Sequence, residues 1–546
     1  MSSGVWLAPE AAATLKIGVA AATAALLLAG LILRRTGHAA AFRRTRDGFL
    51  LVLGILGGVG WWNFFSVPRY VHLHDGYHYF VGAKYFPELG YERLYVCTVI
   101  ADIEAGLGDN LVGRRVRNLE TNILERGTEL ALDPPHCKAH FSPERWTMFT
   151  EDIAWFRAQL PVSEWRRLQM DHGFNGSPVW LLAGRFFASA HRGAESWFFA
   201  LSLLDPVLLL AMWLGVVWTF GWRAACVAAV FWGTNGFADF TWTGGSFLRQ
   251  DWLVALVLAI AALDRRRPAV AGALVTFSAL LRVFPGFAAA ALVLKSGVAA
   301  LRAHTLRPSR DHLRFAGGCV LALVLLLPLA TGWSGPAAWT GFAANSRKLL
   351  ATPLLNQMGL RTVLAYDSSS RASVLERPQA ADPYLVWKLA QRRQFAERWW
   401  IFAAIAALYT ALLIRALPHQ DDWVVLALGT GAIPIATQLT CYYHAALLGL
   451  ALLWIRREMA GVAVCTLAAV TQAIRRSMPI SDELFVWMSM AEVVTVLFVT
   501  VLFASPSRAK GEQGPAPDTA TVTPVRATAS STGGTRAPRG CTCEGS

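Results

Sequence analysis

Apolar runs of membrane-spanning length recur along almost the whole chain, separated by short basic stretches and by two long mixed segments. Once out of water, runs this long must satisfy their backbone hydrogen bonds internally, which predicts α-helix and excludes a β-barrel. The pattern predicts spans near Leu15–Leu33, Phe49–Ser66, Trp197–Phe220, Ala224–Phe240, Leu253–Leu263 and Ala269–Leu281. Further spans are expected near Phe287–Ala300, Phe315–Ala330, Trp399–Ile414, Val424–Leu439, Tyr443–Ile455, Ala460–Ile474 and Leu484–Phe503. That makes roughly thirteen crossings, several of them shorter than the usual ~20 residues. The first run is not expected to be a cleaved leader, because Arg34 and Arg35 follow its apolar stretch instead of preceding it.

The expected fold is therefore all-α, a polytopic transmembrane helical bundle. Residues 1–66 hold the first two spans, 67–196 a large extracytoplasmic loop, 197–330 the membrane core and 331–398 a second outer loop. Residues 399–504 return to the membrane, and 505–546 form a tail. The first loop contains helix-compatible stretches such as Ala101–Leu130, and the second a helical patch around Tyr384–Arg398. The tail is rich in Pro, Thr, Gly, Ser and Ala with no apolar periodicity, so disorder is expected there.

Composition agrees: 55% of residues are hydrophobic and only 16% charged, the reverse of what a soluble surface needs. The formal charge of +14 looks like a signal for nucleic acid, but its distribution is topological. Arg34, Arg35, Arg43, Arg44 and Arg46, then Arg265–Arg267, Arg302–Arg314 and Arg456–Arg457, all fall on one side of a single alternating path. That side should be cytoplasmic. The path puts the N-terminus outside, the tail inside and both long loops on the outer face of what should be a bacterial plasma membrane. Membrane lipids are the expected surroundings, and no nucleic-acid partner is expected. Of eight cysteines, Cys97 and Cys137 alone fall in the outer loops, where an oxidising face would allow one disulfide. Cys226, Cys319, Cys441 and Cys465 lie in apolar helices and should pack there.

Candidate chemistry begins directly after the second span, in His72-Leu-His74-Asp75-Gly-Tyr77-His78-Tyr79. An acid delivered just beyond a helix end is held at fixed depth at the membrane surface, where a lipid-linked reagent meets water. Asp75 is placed to act as a general base, taking the proton of an attacking hydroxyl; the alternative is a solvated loop with an aspartate turn. A His72, His74, Asp75 metal site is a weaker reading of the same run; no cofactor is expected, with a divalent metal left open. Arg282 lies between two apolar stretches, where burial costs about 2.5–3.5 kcal/mol without a partner. A lipid phosphate would offset that cost through charge-assisted contacts; an ion pair with Asp205 is the structural alternative. Arg249-Gln250-Asp251 opens a span, Asn356-Gln357 offers amides suited to sugar hydroxyls, and Tyr442-Tyr443-His444 ends a late span.

The order of these pieces resembles the GT-C class of integral-membrane glycosyltransferases, and most of all glycosyltransferase family 87, the polyprenyl-phosphate-mannose-dependent α-mannosyltransferases. The resemblance covers roughly Leu73–Trp454 and rests on order, not on any single motif. It implies Asp75 as catalytic base and Arg282 as the phosphate-side cation. Gln250 and Asp251 at the mid-chain span, Asn356 and Gln357 in the second loop, and Tyr443 and His444 late in the chain are implied as substrate contacts, with His74 beside the base. The sequence departs from the family pattern with Arg249 in place of Gly, Arg282 in place of Lys, Met358 in place of Ser and Tyr443 near a Trp position. The implied donor is a polyprenyl-phosphate sugar and the implied acceptor a glycolipid or lipid-linked glycan. A transporter or lipid flippase using Asp205 and Arg282 as embedded charges is the main rival, and a non-catalytic scaffold the third reading.

Overall fold

The computed structural model describes residues 7–505 apart from 38, 68, 112, 131–136 and 305–307. The tail beyond Ser505, with Cys541 and Cys543, lies outside the described residues. Among those described, the chain is almost wholly helical, with two short antiparallel strand pairs, Arg115–Asn118 with Ile123–Arg126 and Gln357–Met358 with Leu439–Thr440.

Six described helical stretches are long and apolar enough to cross a membrane: Pro9–Arg35, Glu195–Thr234, Gly286–Ala303, Arg310–Ser334, Leu385–His419 and Asp482–Ala504. Pro268–Arg282, Asp422–Ala436 and Cys441–Ile455 are shorter apolar pieces. The long ones leave apolar side chains uncovered. Val207, Leu210, Leu214 and Trp218, at helical spacing, are 60–64% exposed, a stripe that water would not tolerate and that lipid tails match. The protein is a helical membrane protein.

The Leu204–Thr234 helix is not one rod. Gly221 takes φ 80° and ψ 161° inside it, a region open to glycine and costly for other residues. Trp213 and Trp232 would stand about 28 Å apart on a continuous helix, yet their ring centroids are 5.6 Å apart. The chain therefore reverses at Gly221, and the expected spans Trp197–Phe220 and Ala224–Phe240 lie side by side. The ascending arm packs backbone to backbone on the Ala39–Trp61 helix, where a Cβ added at Gly57 would sit 2.6 Å from Val230 Cα. Small residues at such a crossing let helices gain dispersion contacts where no hydrophobic drive exists.

The first long loop folds against the bundle. Its helices include Leu73–Lys84, Phe86–Leu89, Leu94–Glu104, Gly127–Leu130, Pro143–Gln159, Val162–Leu168 and Pro178–Ser189. The helix expected over Ala101–Leu130 stops at Glu104, and a hairpin follows. Local chemistry favours the turn: Asn118 Oδ1 accepts from the Glu120 and Thr121 N–H groups, and Asn122 takes φ 61°. Cys97 and Cys137 are disulfide-bonded, tying the Leu94–Glu104 helix to the segment before Pro143. The patch expected at Tyr384–Arg398 runs straight on into the Leu385–Ala416 helix.

Candidate functional site

Asp75 sits in the first turn of the Leu73–Lys84 helix. His72 precedes it as N-cap, its Nδ1 accepting from the Asp75 N–H at 3.1 Å, while its Nε2 lies 3.0 Å from the Thr241 carbonyl oxygen. Both ring nitrogens of His72 are thus engaged, which removes it from the His72, His74, Asp75 metal set. The capped helix is pinned to the bundle by the His72 N–H, which donates to Gly245 O at 2.9 Å. Gly245 must be glycine there: its φ is 74° and an added Cβ would lie 1.7 Å from Tyr70 O.

That anchoring brings Asp75 to the 235–250 loop. Arg249 Nε lies 2.9 Å from Asp75 Oδ2, but the N–H is not aimed at the oxygen. Among the described residues, Oδ2 of Asp75 and Nε and Nη1 of Arg249 therefore lack aligned hydrogen-bond partners, and the contact is ionic. The Arg249 guanidinium stacks 4.1 Å from the Tyr79 centroid and 5.6 Å from that of Tyr442. Burial opposes its charge, but Asp75 and the surrounding tyrosines hold Arg249 well above its ordinary pKa. Its backbone is fixed separately, since Asp205 accepts from the N–H groups of both Arg249 and Gln250, as an acid does at a helix start.

Arg282 ends the Pro268–Arg282 helix and approaches the same ring, 5.6 Å from the Tyr79 centroid. It is 8% exposed. Nη1 makes a long 3.5 Å bond to Leu281 O, and among the described residues Nε and Nη2 have no partner. Among the described residues no carboxylate pairs with it; Asp205, the alternative partner, is engaged by backbone N–H groups. Asp251 acts on Arg282 through charge alone, its Oδ1 accepting from the Trp252 N–H at 2.8 Å. Tyr79, lodged beneath two guanidiniums, is pushed up to about 12 by burial, which the two cations only partly offset. It stays a neutral phenol.

Tyr443 completes this wall, its ring against Trp252 and Phe284. Asn356 is drawn in by backbone, its carbonyl oxygen accepting from the Cys441 N–H at 2.9 Å. Other expected contacts turn elsewhere. Gln357 folds its amide onto its own loop, with Oε1 accepting from Leu354 N–H. Gln250 donates to Thr243 at 3.1 Å. His444 is fully buried with Nδ1 2.7 Å from Glu492 Oε1, and His74 faces Asp171. The sequence names Arg249, Tyr79 and Tyr442 within its polar and aromatic runs but gives none of them a role in the site. The signal for Arg249 was present: a second cation one residue before Gln250, at the same end of the bundle as Asp75. A cavity of about 360 Å³ lined by Arg34, Arg35, Arg457 and Glu458 lies at the opposite end and is unrelated to this cluster. Comparison with protein-family models, curated proteins and solved structures finds no match for this chain.

Proposed function

We propose that the protein is a GT-C-like membrane glycosyltransferase that moves a sugar, mannose or another hexose or pentose, from a polyprenyl-phosphate donor to an acceptor hydroxyl. One observation carries this reading: Arg249 and Arg282 converge on the Tyr79 ring, buried, with four guanidinium nitrogens that lack hydrogen-bond partners among the described residues. Two like charges held together in a poorly hydrated setting invite an anion with several oxygens. A phosphate satisfies them through charge-assisted hydrogen bonds. Asp75 stands beside the same pair, so an acceptor hydroxyl approaching it would lie next to a sugar whose phosphate rests on the arginines.

The acceptor oxygen attacks the anomeric carbon, its proton passes to Asp75, and the bond from that carbon to the phosphate oxygen breaks. Polyprenyl phosphate leaves with the bonding electrons, its added charge met by Arg282 and Arg249. A phosphate leaving group needs a cation more than a general acid, and no nucleotide-phosphate loop is required. Donor arrival also gives Arg249 a second anion, loosening its hold on Asp75 Oδ2 as the acceptor enters. On this reading the chain crosses the plasma membrane about thirteen times, with Asp75 and both long loops outside and the tail in the cytoplasm.

Transfer from a panel of polyprenyl-phosphate sugars to glycolipid acceptors, by purified wild type and Asp75→Asn, tests the proposal. Sugar transfer by wild type alone is expected. Wild type that binds donor lipid and moves it across vesicles without transferring sugar would instead establish the flippase.

A further inference from the structure

Asp75 and Tyr79 share the helix face that meets Arg249. The next face, about 100° around the same helix, carries a second cluster that sugar transfer does not use. His74 and His78 stand one turn apart, so both imidazoles project to one side, and Asp171 reaches them from the segment after the Val162–Leu168 helix. One donor atom from each lies within 4.8 Å of the other two, and His74 Nε2 is 3.2 Å from Asp171 Oδ2.

The orientation of His78 is fixed. Its Nδ1 is 2.8 Å from the carbonyl oxygen of His74; a carbonyl only accepts, so Nδ1 carries the proton and Nε2 the lone pair. A backbone carbonyl holding the far nitrogen is how ligating histidines are usually oriented. Nε2 meets the Tyr95 hydroxyl at 2.6 Å. That hydroxyl also reaches Leu168 O at 3.0 Å and accepts from Gly173 N–H at 3.1 Å, so it keeps two partners on turning away from Nε2. Asp171 divides its oxygens: Oδ1 accepts from His172 N–H at 2.8 Å, leaving Oδ2 for the cluster. The His74 and Asp171 side chains are 33% and 49% exposed, which gives an ion a way in and room for water.

We propose that His74, His78 and Asp171 bind a divalent transition metal of the Zn²⁺ class, with water completing its shell. Two imidazoles and one carboxylate suit Zn²⁺, whereas Mg²⁺ and Ca²⁺ prefer all-oxygen shells. The ion ties the start of the helix bearing Asp75 to the 169–173 segment, making it a positioning element. Asp75, Arg249 and Arg282 are not ligands, so the site stands or falls independently of the transfer reaction.

The test uses full-length protein purified without a histidine tag, stripped with EDTA and titrated with Zn²⁺ against a chromophoric chelator, with thermal unfolding followed in parallel. Wild type should take up a single Zn²⁺ per chain and unfold at higher temperature with it, while Mg²⁺ and Ca²⁺ have no such effect. His74→Gln and Asp171→Asn alter a half-buried and an exposed side chain with near-isosteric polar ones and should fold. Losing an outer-shell partner alone costs about 10–100-fold in affinity, so each should weaken Zn²⁺ binding at least about 100-fold and abolish the thermal shift. His191→Gln, elsewhere in the same loop, should bind like wild type. No Zn²⁺ uptake by wild type, or undiminished uptake by the His74→Gln/Asp171→Asn double variant, would overturn the assignment.

Discussion

Arg249 Nε lies 2.9 Å from Asp75 Oδ2, joining the start of the Leu73–Lys84 helix to the start of the Asp251–Asp264 helix. The pair is close but not aligned as a hydrogen bond, and Arg249 has further N–H groups without partners. Such a contact should be exchangeable. Each partner is therefore expected to answer differently to mutation.

Asp75→Asn keeps size and most hydrogen bonding but removes the proton acceptor. Losing a general base typically costs about 10²–10⁴-fold in rate, so transfer should fall by that order. Donor affinity should hold or improve, because Arg249 then has no competing carboxylate. Steady-state transfer together with donor-lipid binding on the purified variant checks both. A stable Asn variant with near-normal transfer would remove Asp75 from the mechanism. Asp102, another acid of the same loop, is engaged by Arg114 and Arg157 and is a poor substitute.

Arg282→Ala should separate stability from binding. Among the described residues Arg282 has no ion-pair partner, and it stands near a second cation, so its removal is expected to leave the unfolding temperature unchanged or raised, while donor binding weakens by about 10-fold or more. Arg282→Lys should fall between, keeping charge but losing bidentate geometry. A marked loss of thermal stability in Arg282→Ala with normal donor binding would reassign the residue to structure.

Arg249→Ala removes stacking on Tyr79 and Tyr442 and leaves Asp75 without its cation. Combined with Asp75→Asn in a double-mutant cycle, it should show a coupling of about 0.5–3 kcal/mol in thermal or denaturant unfolding. Additivity within about 0.3 kcal/mol would mean that the contact contributes nothing.

The Cys97–Cys137 bridge spans a sequence separation of 40. On the chain-entropy account closing such a loop is worth about 4 kcal/mol. Cys97→Ser/Cys137→Ser should lower the unfolding temperature, and reductant should do the same to wild type but not to the variant. Equal stability with and without reductant would show that the bridge is dispensable.

Orientation is checked by single-cysteine labelling in intact cells, in a background lacking the other thiols. A cysteine at position 164, exposed in the first loop, should react with an impermeant maleimide without permeabilisation, and one at position 314 only after it. The opposite pattern would invert the proposed topology and place Asp75 in the cytoplasm.

What the sequence determined by itself was the helical membrane character and the position of Asp75 just past a helix. Both follow from local properties, run length and apolarity, which the bilayer reads almost one segment at a time. The disulfide was legible as well, because Cys97 and Cys137 had no rivals in the two long loops. The tertiary structure decided the rest, because every other site relationship joins distant segments. Periodicity cannot say that Arg249 faces Asp75, or that Asp205 is engaged by the Arg249 and Gln250 N–H groups instead of pairing with Arg282. Nor does residue type disclose that Gln357 turns back on its own loop and His444 pairs with Glu492: an amide or imidazole satisfies whichever partner the packing brings near. Gly221 shows both sides of this. Its flanking apolar arms were readable as two spans, but only the Trp213–Trp232 contact reveals that they fold back together, the reversal resting on one backbone conformation that glycine accepts at little cost.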